Sequence, residues 1–390
     1  MAPRITGTYI TSTTTGEAVR AFVPAPLPPA APPLDPSHFA PANRAAEMAL
    51  ARLAGVAGLV PSVEGLLYSA IRKEALLTSQ IEGTQATLVD LFNNEAGQTL
   101  ANPDDVEEVT NYLRAFHHVQ SQLRSPDGLP LSVRLLCQAH RLLMDGVRGA
   151  GRQPGELRQS QNWIGGTRPG NAVFVPPPPQ QVPGLLADME RFIHPPLAHP
   201  DNDATTLPPL VRIALVHVQF ETIHPFLDGN GRMGRLLIAA LIEQWGLLPE
   251  PLMYVSGFLK QHQAEYYRRL GAVRTDGDWE GWVAFFLEGV AVAAEQAERS
   301  IVSLASLINA DRRRLLQTPR ATTASLRLFE LLPAMPRFSI EQVRQRLDTT
   351  FPTATAAVKL LQDLGLVTEQ TGQKKHRLFS YEGYVALLSD

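Results

Sequence analysis

Between residues 41 and 92 apolar side chains recur at helical spacing, in Leu50, Leu53, Ala54 and Ala57 and again in Leu66, Leu67, Ala70 and Ile71. That spacing puts them on one helical face, and Gly55, Gly58 and Pro61 cut the stretch into pieces. The same period predicts further helices over about 105–124, 131–147, 181–194, 208–222, 231–246, 260–272 and 279–315. Strand signals are scarce. Trp163-Ile164 and Val173-Phe174-Val175 flank the turn-rich run Gly165 to Asn171, which predicts a short hairpin that Pro176 to Pro179 then stop. Residues 22–36 carry so many prolines that their backbone must be extended. After Pro319 the pattern becomes compact: helices at 325–332, 339–347 and 352–364, then Leu366-Val367-Thr368 and Leu378-Phe379-Ser380 as two strands around a polar turn. This is the order of a winged helix-turn-helix. The chain therefore reads as mainly α with one small β-hairpin. Its parts are a proline-rich extended arm (1–40), an N-terminal helical region (41–105), a helical core (106–317) and a winged helix domain (318–390).

Composition narrows the function classes. With 44% hydrophobic and 19% charged residues the chain is an ordinary soluble protein, and its net charge of −3 gives no global nucleic-acid signature. The single cysteine, Cys137, has no partner for an internal disulfide, so a reducing cytoplasm is the expected setting. Met1 to Thr15 lacks the apolar run of a secretory leader. The apolar stretch Trp282 to Ala294 is interrupted by Glu288 and reads as a buried helix, so no membrane partner is expected. The histidines other than His224 lack the spacing with Cys or acidic partners that would suggest zinc.

The chemistry concentrates in His224-Pro225-Phe226-Leu227-Asp228-Gly229-Asn230-Gly231-Arg232-Met233-Gly234-Arg235, a loop between two helical patterns that leads into a helix N-terminus. Free amides and the positive helix end attract anions there, and Gly229, Gly231 and Gly234 let the backbone come close. Asp228 is a hard oxygen ligand suited to Mg²⁺. Arg232 and Arg235, three apart on the helix, can offer forked donors to successive phosphates, and Asn230 can add an uncharged one. His224, with an ordinary pKa of about 6.5, can take a proton from an attacking hydroxyl. Taken singly, these residues read as a turn histidine, a Gly-Asn-Gly turn and two solvated arginines. Together, within twelve residues, they argue for a phosphate site.

The segment matches His-Pro-Phe-x-(Asp/Glu)-Gly-Asn-(Gly/Lys)-Arg-x-x-Arg, and the chain thereby resembles the Fic family. Val216 to Ile223, Pro154 to Arg158, Gln161 to Gly166 and Phe285 to Gly289 extend the likeness over roughly residues 40 to 310. The resemblance implies a transferase that binds ATP with Mg²⁺ and moves AMP to a Tyr, Thr or Ser hydroxyl of a protein. In that role His224 would be the base, Asp228 would hold Mg²⁺, and Asn230 would contact the α-phosphate. Arg232 and Arg235 would contact the phosphates beyond it, with the Gly229 to Gly231 backbone as the anion hole. Ile164, Gly165, Gly166, Val173, Phe174 and Val175 would form a flap that docks the target by strand-like pairing; otherwise they are an ordinary surface hairpin.

Upstream, Thr78-Ser79-Gln80-Ile81-Glu82-Gly83-Thr84 matches the family's inhibitory pattern (Ser/Thr)-x-x-x-Glu-(Gly/Asn) in Thr78, Glu82 and Gly83. Alone it reads as a surface glutamate on an amphipathic helix. Beside the full motif it reads as a brake, since a carboxylate reaching Arg235 would fill the fork meant for the γ-phosphate. In the C-terminal domain the third helix carries only Lys359 as a cation, while the wing Gln373-Lys374-Lys375-His376-Arg377 is basic. DNA contact and a docking or dimerising role both stay open. Two other functions also stay open: a DNA-binding regulator that uses the core as a nucleotide sensor, and a Fic enzyme that removes AMP or transfers another phosphate-containing group. The protein substrate could be the chain itself, because a Thr-rich arm with Tyr9 can reach a neighbouring flap.

Overall fold

The computed structural model describes residues 4–57, 63–98, 102–146, 151, 153–194 and 207–389. Helical periodicity becomes helix along most of this length: α1 (Ala40–Ala57), α2 (Val63–Ile81), α3 (Leu88–Glu95), α4 (Pro103–Arg124), α5 (Val133–Leu143), α6 (Val182–Ile193), α7 (Pro209–Ile223), α8 (Asn230–Gln244), α9 (Val255–Gln261), α10 (Gln263–Thr275) and α11 (Trp279–Leu316). Gly58 and Pro61, expected to interrupt the first stretch, lie outside the described residues. Polar side chains set several helix starts: Thr87 accepts from Asp90 N, Ser132 from Leu135 N and Asp278 from Gly281 N.

α7 organises the core. Every residue from Leu210 to Ile223 except Arg212 is buried, and a helix apolar on all sides belongs in the middle of a bundle. It packs against α6, α8 and α11, and Trp282 Nε1 donates to Ala214 O at 2.8 Å. α2 lies against α4, α8 and α9, which brings its C-terminal end to the start of α8. No described helix is long and apolar enough to cross a membrane.

Three expectations need correcting. Residues 1–40 are not simply an extended arm: β1 (Gly7–Thr14) and β2 (Glu17–Pro24) form an antiparallel hairpin turned at Thr15-Gly16, both with positive φ. A two-residue loop of that kind matches the twist of its strands. The Thr-rich β1 lacks apolar alternation, so the pattern missed it. The boundary drawn at 105/106 falls inside α4, which is one continuous helix. α9 and two C-terminal elements also went unpredicted.

The C-terminal segment contains α12 (Thr323–Leu331), β3 (Arg337–Ser339), α13 (Ile340–Leu347), α14 (Phe351–Asp363), β4 (Thr368–Glu369), β5 (Leu378–Ser380) and α15 (Glu382–Ser389). Its sheet order is β3-β5-β4, all antiparallel; β3 and α15 are the unpredicted additions. The segment is seated on the rest of the chain: the Tyr384 hydroxyl donates to Gly65 O at 3.1 Å and meets Ser69 Oγ at 3.0 Å, both on α2. Tyr381 donates to Asp311 of α11 at 2.8 Å.

Candidate active site

His224 ends α7 and takes φ 50°, ψ 62°, a left-handed conformation that is unfavourable for a side chain with a Cβ. That turn swings the chain away from the buried helix axis. The residue is partly exposed; its Nδ1 is enclosed, with the Glu221 carbonyl favouring a proton on the ring, which leaves Nε2 for the open side. Burial first, and then the Arg158 guanidinium, push its pKa down to about 4. The imidazole is thus neutral at physiological pH and able to accept a proton.

The loop after His224 is closed by its own asparagine. Asn230 Oδ1 accepts from Phe226 N at 2.9 Å and Nδ2 donates to Phe226 O at 2.8 Å, so the side chain ties the helix start to the main chain of Phe226. Nδ2 keeps a second hydrogen for another acceptor. Beneath the loop lies His140, stacked on Phe226 with ring centroids 3.8 Å apart. Its Nδ1 accepts from Gly155 N at 2.8 Å, so Nε2 carries the hydrogen and donates to Asp228 O at 3.0 Å. Burial pushes His140 down to about 4, which keeps that tautomer neutral. Asp228 is exposed, with Oδ1 accepting from Gly229 N at 2.6 Å.

The three glycines have separate reasons. Gly229 has φ 74°, and a Cβ there would stand 2.9 Å from Met144 Sδ. A Cβ on Gly231 would stand 2.2 Å from Glu82 Oε1, and one on Gly234 would stand 2.2 Å from Glu221 Oε1. Gly231 and Gly234 therefore make room for carboxylates, one exposed in part and one buried.

Arg235 is fully buried and points at the end of α2. Its Nε donates to Thr78 Oγ1 at 2.5 Å, and one terminal nitrogen donates to Thr78 O at 3.0 Å and to Glu82 Oε1 at 2.6 Å. Burial works against the Glu82 charge, but the attraction of Arg235 prevails and holds the carboxyl below its ordinary value. The same pair raises Arg235 against the cost of its own burial. Gly83, with φ 101°, turns the chain just past Glu82. Arg232 is buried as well. One terminal nitrogen lies 3.6 Å from Glu108 and the other 3.7 Å from Met144 Sδ, while Nε and the first terminal nitrogen have no hydrogen-bond partner.

Glu221 carries no assignment from sequence, yet it stands one turn before His224. It is buried with Oε1 unpartnered, and burial raises its pKa to about 7 although Arg235 opposes the rise. Nothing in its local sequence distinguishes it from a surface glutamate; only α7 becoming central buries it.

The flap is less regular than a hairpin of two strands. Ile164 and Phe174 form a single antiparallel bridge, with Ile164 N donating to Phe174 O at 2.8 Å and Val173 N to Ile164 O at 3.0 Å. Gly165 and Gly166 have φ 68° and 74°, and Val173 is 85% exposed. Val175 faces the N-terminal hairpin instead of solvent. Phe22 N donates to Val175 O at 2.9 Å, and Val19, Ala21 and Val175 share a small apolar cluster with Trp163 and Ala172. Glu17 accepts from Arg168 at 2.9 Å and from Gly170 N at 2.8 Å. Arg274 of α10 lies 4.0 Å over the Phe174 ring.

Two family models match the chain, Fic/DOC family N-terminal over residues 40–121 and Fic/DOC family over residues 130–242, together half of its length. It is similar to the protein adenylyltransferase Fic of Drosophila erecta, 27% identical over 47% of this chain and 32% of that one. To the protein of the same name in Drosophila ananassae it is 28% identical, over 54% of this chain and 38% of the relative. The match thus spans about a third of the length of these curated relatives. Two solved structures share the fold. One is a Fic family protein from Desulfovibrio desulfuricans, 21% identical with TM-score 0.53 over 87% of this chain and 96% of that one. The other is a Fic domain containing signaling protein from Bacteroides thetaiotaomicron, 18% identical with TM-score 0.54 over 67% and 97%.

Proposed function

Because this chain belongs to the Fic/DOC family, we propose that it is a protein adenylyltransferase that moves AMP from ATP to a Tyr, Thr or Ser hydroxyl of a protein, and that Glu82 holds it off. The observation that carries this reading is the Glu82 carboxylate on Arg235, 2.6 Å away and against Gly231. A carboxylate occupies the place where the loop and the guanidinium would take an anionic phosphate.

The residues fit the groups the reading requires. Asp228 offers an exposed carboxylate oxygen for Mg²⁺, which would neutralise phosphate charge when bound. Arg232 has donors without acceptors, and within the Gly229 to Gly231 backbone at the head of α8 Asn230 and Gly231 would supply N–H groups with the positive helix end behind them, Gly229 N being held by Asp228 Oδ1. Arg235 would hold the last phosphate once Glu82 leaves, and Asn230 keeps the loop in shape. The target hydroxyl oxygen then bonds to the α-phosphorus as the bond from that phosphorus to the β-bridging oxygen breaks. The hydroxyl proton passes to His224 Nε2, and pyrophosphate departs. Such base assistance is worth roughly 10²- to 10⁴-fold.

For residues 318–390 we read a winged helix with a docking role, supported by its seat on α2 and α11. The wing is exposed at 373–376, where its lysines would meet phosphate. The test of the enzyme is intact-protein mass spectrometry after incubation with ATP and Mg²⁺, with labelled ATP and a cell lysate in parallel. The parent, Glu82→Gly, and Glu82→Gly with His224→Ala are compared. Only Glu82→Gly is expected to add AMP to itself or to a lysate protein. ATP binding without AMP transfer by any of the three overturns the transferase reading.

A further inference from the structure

The flap leaves the core at residues 158–161 and returns at 176–178, and both feet meet one buried side chain. Arg158 is 2% exposed. Its Nε donates to His224 O at 2.8 Å, and one terminal nitrogen donates to Ile223 O at 3.2 Å and to Pro177 O at 2.6 Å. The other terminal nitrogen reaches Ser160 O at 3.3 Å, and the main-chain N–H of Arg158 donates to Pro225 O at 2.9 Å. Gln161 Nε2 closes the feet on each other through Pro176 O at 2.8 Å.

Each of these acceptors is a carbonyl, and among the described residues no carboxylate pairs with Arg158. Burying a guanidinium without a counter-charge is expensive, which argues against mere filling of space. The planar fork is what the place needs: its donors reach four carbonyls in different directions, which an ammonium on one stem does not do. Two of those carbonyls belong to the left-handed turn that presents His224, and two belong to the flap's feet.

We propose that Arg158 is a positioning residue that fixes the His224 turn relative to the flap, so that a hydroxyl on a target segment docked along Ile164 to Val175 meets the imidazole. This rests on the transferase reading and goes beyond it, by assigning the distance between docking surface and base to one side chain. The guanidinium also opposes protonation of His224, as does Arg274, while Glu82 and the Glu221 carbonyl favour it.

The test uses the full chain in the Glu82→Gly background with Arg158→Lys and Arg158→Gln. It reads ATP affinity by calorimetry with Mg²⁺, AMP incorporation from labelled ATP, and the titration of the His224 ring by NMR. Both variants should keep the parent's ATP affinity and lose incorporation by about 10²-fold, the scale of a misplaced reacting group. Arg158→Lys should keep the depressed titration of His224, and Arg158→Gln should move it toward the ordinary histidine value. Incorporation equal to the background in Arg158→Lys overturns the proposal, and so does an unmoved His224 titration in Arg158→Gln. If the background itself transfers no AMP, the transferase reading fails, and the NMR titration still decides whether Arg158 acts on His224.

Discussion

From Asp228 to Arg235 the wall proposed to take the anion is one loop and the first turns of one helix, whereas the other wall is assembled from residues 17–22, 158–177 and 274. The first wall takes its shape from local geometry, a helix start, glycines and an asparagine that spans four residues, and is backed by His140 and the end of α2. The second depends on hydrogen bonds and ring contacts between segments far apart in the chain. A phosphate is the same for every target and can be met by a fixed local motif. A protein target varies, and the wall that would meet it is held largely by contacts outside the Asp228 to Arg235 segment.

Three predictions bear on that contrast. The largest concerns the brake on the anion wall. Thr78→Val removes the Arg235 Nε bond and leaves Glu82 in place, so AMP incorporation should rise about tenfold over the parent, as expected for one hydrogen bond to a charged group. It should stay below the level of Glu82→Gly; a rate unchanged from the parent would assign the brake to the carboxylate alone.

On the other wall, Glu17→Ala frees Arg168 and Gly170 N from the hairpin. An exposed pair of this kind is worth up to about 1 kcal/mol, so incorporation in the Glu82→Gly background should fall about threefold with ATP affinity untouched. A matching loss of ATP affinity would mean that the two walls are not separable.

The third acts on stability instead of on transfer, behind the loop. Because the Glu221 pKa is raised by burial to about 7, its neutral form is favoured in the folded protein. The resulting stability is fully present below the ordinary carboxyl pKa and is lost as pH rises through 7. Glu221→Gln should therefore gain thermal stability over the parent between pH 5 and pH 8, by at most about 3 kcal/mol. Melting curves that shift equally at both pH values would show that Glu221 ionises freely in the fold.

Most of the helices and the loop leading into α8 were legible, because both are written at short range. Apolar spacing gives a helix its buried face, and a run of twelve residues from His224 to Arg235 carries its glycines, carboxylate and arginines in fixed order. The β1–β2 hairpin was not legible. Its turn is Thr-Gly, its first strand is nearly all polar, and it packs on the flap through Val19, Ala21 and Val175. Arg158 stood in a segment quoted only for family likeness, since nothing in Pro-Gly-Glu-Leu-Arg announces a buried guanidinium.

The sequence by itself determined most of the helices and the family, since these depend on residues within a few turns of one another or on a contiguous motif. The pairing of Glu82 with Arg235 was expected from the Thr78 to Gly83 pattern and is present; only the tertiary structure decided that α7 buries Glu221 and that Arg158 joins the flap's feet to the His224 turn. The last two are contacts between distant segments, set by which faces the bundle buries together, and no local pattern encodes them.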